Sequence, residues 1–341
     1  MRNPLYFLLA FSLLNAHLSY GQKGLNKADY FILLDSNNSI SINSFTDNKI
    51  TKQASFRINK KAIYATDGLS QIAIVDTSKN RVVIHNFKNE ILVDTIIPFK
   101  IESKSLFLTQ ENLFIGGQFG SELLVQFNLD KKEWHSLHIP TEVLYPGKAI
   151  DDIVLDGSML LAIDNLIMPK YILYYQLRNS SKAEYAHSVQ LKPNGTYESI
   201  HQGRITDKYI GLISGTFSGD IGRSNHIAIY DKRDMTRSFA ISVNQMEKGY
   251  HTFDDVVIVG DKIIIASKEK GLGQFLIRPQ YFKTEERRFG NFNETISPSK
   301  IQYRKSKKQT IAKLTLIPQT DKVVVTYEST LGKYSHEILS Q

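Results

Sequence analysis

The chain of 341 residues contains no cysteine. Disulfide staples, thiolate metal centres and cysteine nucleophiles are therefore excluded, as is a lipid anchor on a cysteine after the N-terminal apolar run. Long apolar runs are also scarce. Beyond residue 18 none approaches the roughly 20 residues that a membrane helix needs. Several chemical signatures are missing. There is no HExxH, GxSxG, P-loop or GxGxxG pattern, so the common metalloprotease, α/β-hydrolase and nucleotide-binding machineries have no foothold. RNP, zinc-finger and helix-turn-helix patterns are absent too. The formal net charge of +8 is scattered apart from one run at Arg304-Lys305-Ser306-Lys307-Lys308, which reads as a solvated loop, so no nucleic-acid partner is expected. From Gln22 onward no segment shows helical apolar spacing.

What is present begins at the N-terminus. Arg2 precedes an apolar run over 5–18, and Ser19 and Gly21 put small residues before Gln22. This order predicts a secretory signal peptide over 1–21, cut near Gly21–Gln22, and a single domain over 22–341. The mature chain is expected in a periplasm or outside the cell.

The central feature is a repeated phrase. "DDIVLDG" at 151–157 returns as "DDVVIVG" at 254–260, and "GRITDKYIGLIS" lies between them at 203–214. Upstream, "FILLDSNNSISINSF" at 31–45 matches "IAIVDTSKNRVVIHNF" at 72–87. A period of about 40–50 residues signals a repeat architecture. Within each unit, short β-branched runs alternate with turn residues, four runs to a unit. Four antiparallel strands at this period describe a propeller blade. The expected fold is all-β, a β-propeller with blades over 29–57, 62–97, 103–139, 149–191, 199–243, 252–289 and 299–339. Seven blades fit best, with six as the alternative. The first stretch lacks an innermost strand and the last an outermost one, so the termini are expected to share a blade and close the ring.

This strand pattern, over nearly all of 22–341, resembles the secreted bacterial propellers of the YVTN and NHL-like kind. The resemblance lies in architecture, because the WD dipeptide and its Gly-His partner are missing. It implies a secreted repeat scaffold and leaves function to the loops.

Repetition serves core packing, so function is sought where the units differ. Counting six residues back from each first turn gives Asp151, His201 and Asp254 at one position, expected at the mouth of the central channel. Asp152, Gln202 and Asp255 follow them, and the same count in earlier units gives Ser105 and Ala62. Two carboxylates and an imidazole form a candidate site for calcium or manganese. The plainer alternatives are caps on exposed amides and channel water. Loops at 139–149, 192–199, 215–226 and 244–251 project from the same face and add Tyr145, Tyr197, Phe217, Arg223, Tyr250 and His251 as candidate ligand contacts. The leading expectation is a binding module for a protein or glycan on the loop face of blades four to six. Its rivals are a metal-dependent, lactonase-like hydrolase on Asp151, His201 and Asp254, and a structural scaffold of a surface complex. No catalytic residue and no oligomeric state is assigned.

Overall fold

The computed structural model describes residues 30–36, 38–59, 61–141, 143, 149–164, 170–177, 182–191, 198–218, 222–244, 251–284, 295–304, 310–330 and 333–339. The side chains of 170, 198–203, 214–218, 222–224, 244, 284 and 295 are outside that description. The strands form seven sheets. The first blade has three, Tyr30–Ser36, Ser39–Thr46 and Lys49–Arg57. The second runs Ala62–Thr66, Gln71–Asp76, Arg81–Asn86 and Ile91–Ile96, and the third Glu102–Leu108, Asn112–Gln118, Leu124–Asn128 and Glu133–Ser136. The fourth is Ile150–Asp156, Met159–Asp164, Lys170–Gln176 and Glu184–Leu191. The fifth is Glu198–Ile205, Tyr209–Ser218, Gly222–Asp231 and Asp234–Asn244. The sixth is Asp255–Val259, Lys262–Ser267, Gly271–Leu276 and Gln302–Arg304, and the seventh Thr310–Leu316, Val323–Glu328 and Tyr334–Leu339.

Alternation within the strands explains the ring. In the sixth blade, Val256 and Ile258 pack with the fifth, while Val257 and Val259 pack with the seventh. A blade buried on both faces reads as a continuous apolar run, and all five residues of Asp255–Val259 are buried. Each neighbouring pair of blades shares an apolar cluster of this kind. The last contact joins Phe31 and Leu33 of the first blade to Ile317 and Val324 at the seventh, which closes a seven-bladed β-propeller. Turn chemistry fits the hairpins. Gly157 and Gly260 hold positive φ of 63° and 54°, and Asp47-Asn48 place two positive φ values in succession, as a mirror-image hairpin turn requires.

Two sequence expectations are corrected, and a third, the blade shared by the termini, falls partly outside the described residues, since 22–29 are not among them: among the described residues no strand of the first blade pairs with one of the seventh, and the two blades meet by side-chain packing. The segment expected to open the last blade belongs elsewhere. Gln302–Arg304 is the fourth strand of the sixth blade, while Lys283–Thr284 and Thr295–Ile296 pair with the outer strand of the fifth. Finally, 215–226 is largely two strand arms, with Phe217 opposite Arg223 in the register.

Among the described residues the first blade has no innermost strand. Tyr30 N–H donates to Gly68 O at 3.1 Å, and Gly68 lies in the turn that ends the second blade's inner strand. Tyr30–Ser36 therefore starts at the face where the inner strands of its neighbours finish. It runs as a second strand, with nothing described inside it.

Candidate functional site

The inner strands carry a shared irregularity. Register shifts put an extra residue at Lys104, Asp151, His201 and Ala312 in the third, fourth, fifth and seventh blades. In the sixth, Ala266 pairs with Asp255 and also accepts from Asp254 N–H at 2.8 Å, so Asp254 is the extra residue. Such bulges re-aim side chains and increase local twist. Asp151, His201 and Asp254 thus occupy equivalent backbone positions. The equivalent residue in the third blade is Lys104, one before the Ser105 reached by counting. Thr109 closes against Asn112, which places the turn one residue earlier than the sequence reading put it.

The carboxylates at these positions have protein partners. Asp151 has a fully buried side chain and is ion-paired with Lys104, its counterpart on the neighbouring blade. Asp254 accepts from Lys268 N–H at 2.6 Å and from Thr252 Oγ1 at 3.3 Å, which fixes the turn after its own second strand. Among the described residues no group of three or more His, Asp or Glu is placed to hold a metal. The His201 side chain lies outside them.

One residue further along, a polar relay crosses the blades. Arg204 of the fifth blade donates from Nε to Val256 O at 3.1 Å and from Nη2 to Asp255 Oδ1 at 3.1 Å. Its Nη1 stands 3.9 Å from Asp152 Oδ2. The second oxygen of Asp255 accepts from Leu314 N–H at 2.8 Å. Three side chains therefore tie the fourth, fifth, sixth and seventh blades together. Burial pushes the Asp152 carboxyl up to about 6, against the pull of Arg204. Yet 29% of that side chain is exposed, so protons reach it. Sequence reasoning named Asp152 and Asp255 but missed Arg204. The available signal was a lone cation late in an inner strand, between neighbours that carry buried carboxylates.

Arg204 also lines a cavity of about 990 Å³ at the opposite face, the one with the first turns. Inner strands of all the blades that have one contribute to its wall. The first blade, without one, contributes Tyr30, Phe31 and Ile32.

The remaining candidates fall in different places. His251 is buried, with Nε2 2.6 Å from Tyr303 Oη and its ring edge-on to Phe253 and Tyr303. It ties the sixth blade's outer strand to the chain that enters the blade. Phe217 and Arg223 are backbone register partners in the fifth blade's hairpin. Tyr145, Tyr197 and Tyr250 lie outside the described residues, as do 305–308 of the basic run. Arg304 stands 3.6 Å from Glu337 of the seventh blade.

No known protein-family description matches the chain, and no curated protein matches it. Solved structures do. Kluyveromyces lactis Hsv2 aligns with a TM-score of 0.56 at 13% identity, over 92% of this chain and 95% of that one. A functionally unknown protein from Desulfotomaculum acetoxidans gives 0.52 at 10% identity, over 90% and 94%. The computationally designed Ika8 protein gives 0.51 at 5% identity, over 91% and 93%. At such identities the likeness is one of fold alone. No helix among the described residues is long and apolar enough to cross a membrane. The chain is a seven-bladed β-propeller whose function rests on its own side chains.

Proposed function

We propose that this chain is a secreted binding module that engages a protein or glycan partner through the face where the inner strands begin, centred on the fifth blade. The supporting observation is the length of that blade. Its four strands have 8, 10, 10 and 11 residues. Beyond the position opposite the bulge, its second strand continues about four residues further than that of the sixth blade, where Ser267 is followed by a turn, roughly 13 Å of extra strand. Long paired arms on a rigid ring offer a preformed surface, and Phe217 and Arg223 are register partners on them. Aromatic and arginine anchors carry most of the affinity in such surfaces. The rival hydrolase reading has less support, since a metal would have to take Asp151 from Lys104 and Asp254 from its turn.

The test is binding of the mature chain to a glycan array and to purified extracellular proteins, with Phe217→Ala and Arg223→Ala alongside. Each substitution is expected to weaken binding about ten-fold or more with an unchanged melting temperature. Binding that neither substitution alters would overturn the reading.

A further inference from the structure

Among the described residues no strand fills the inner position of the first blade, which marks a second site, on the opposite face from the fifth-blade surface and independent of it. In the other six blades the second strand is covered by a strand inside it. Among the described residues Tyr30–Ser36 pairs only with Ser39–Thr46. Residues of an antiparallel strand turn their amides alternately to the two sides. Tyr30 N–H points away from Ser39–Thr46, to Gly68 O. By alternation Ile32 and Leu34 direct their N–H and C=O groups to the same open side. Burial follows: Tyr30, Ile32 and Leu34 are half-buried, whereas the sixth blade's second strand is buried over Ile263–Ser267.

The space beside this edge is the 990 Å³ cavity. Its lining mixes apolar and polar groups. Phe31, Tyr64 and Leu314 line it, and so does Thr315, whose buried Oγ1 has no hydrogen-bond partner. Two cations, Arg204 and Lys313, also reach it. Lys313 lies over the Tyr64 ring at 5.1 Å, and among the described residues it makes no ion pair. Tyr64 and Lys313 belong to the second and seventh blades, so this contact spans the first blade's inner position.

We propose that this slot accepts an extended segment of a partner protein, which adds to Tyr30–Ser36 as the missing inner strand and carries a carboxylate to meet Lys313. Strand addition takes affinity from main-chain hydrogen bonds and specificity from alternate side chains.

The experiment pans a random heptapeptide display library on the mature chain, on Ile32→Pro and on Lys313→Glu. Proline removes only an amide on the open edge, so pairing with Ser39–Thr46 is retained. Enriched peptides are expected to alternate apolar residues around an Asp or Glu. Ile32→Pro should weaken a synthetic copy of the best peptide about ten-fold, while Phe217→Ala leaves it unchanged. Lys313→Glu should select a lysine in place of the acid. Bound peptide should slow hydrogen exchange at the Ile32 and Leu34 amides. Three results would each overturn the proposal: no enrichment of alternating peptides, binding indifferent to Ile32→Pro, or full protection of both amides before any peptide is added. The last would assign the slot to the chain's own N-terminal residues.

Discussion

The first and sixth blades solve the same packing problem with different means. In the sixth, an inner strand of five buried residues covers a second strand buried on both sides, and a carboxylate within it joins three blades. In the first there is no inner strand among the described residues, and the charged contact, Lys52 to Asp35 at 2.5 Å, lies at the surface. The ring closes at both places. Closure therefore depends on blade-to-blade apolar contact, while the inner strand decides whether the channel is a packed wall or an open slot.

The sharpest way to probe this contrast is its ion pairs. Asp255→Ala leaves Arg204 and the Leu314 amide without their partner in a buried setting. It should cost about 3–5 kcal/mol in denaturant unfolding. Lys52→Ala removes an exposed pair and should cost about 0.5 kcal/mol. Equal losses would mean that the relay is no more structural than the surface contact. Apolar truncation repeats the contrast at smaller scale. Ile265→Ala, in the sixth blade's second strand, should cost about 3 kcal/mol, against about 1 kcal/mol for Ile32→Ala at the half-open position.

Protonation sharpens it further. Asp152 has a carboxyl pushed up to about 6 from an ordinary 3.8. A raised acid holds its proton longer when folded, so between about pH 4 and 6 the folded state binds more protons than the unfolded one. Its contribution to stability then falls as pH rises through that window. Asp152→Asn should remove this slope and make the protein about 2 kcal/mol more stable than wild type at pH 7. His336 titrates the opposite way, since burial lowers its pKa, and the difference between wild type and Asp152→Asn cancels it. Chemical denaturation at several pH values provides the measurement. The smallest expected effect is that of metal. With Asp151 and Asp254 held by protein groups, the melting temperature should be the same in EDTA and in excess calcium or manganese. A rise that disappears in Asp151→Ala would instead revive the metal site.

Much of this was legible in the chain. Gly157 and Gly260 fixed the first turns, and counting back from them reached residues that share a bulge, because the hairpin register propagates two residues at a time from the turn. The count slipped by one at Ser105, where Thr109 closes a turn that its sequence does not mark with glycine. Arg204 stayed hidden because its partners, Asp152 and Asp255, lie on other blades. Gln302–Arg304 was misplaced because three polar residues reach the sixth blade only after an excursion along the edge of the fifth.

By itself, then, the sequence determined the repeat, the strand class and the seven blades. These follow from local periodicity and turn chemistry, which each short segment carries alone. The tertiary structure decided which carboxylates are buried, that Lys104 holds Asp151, that the terminal blades close by packing, and that the open slot lies on the face of the first turns. Those outcomes depend on which strands become neighbours around the ring, and no single segment encodes its neighbour.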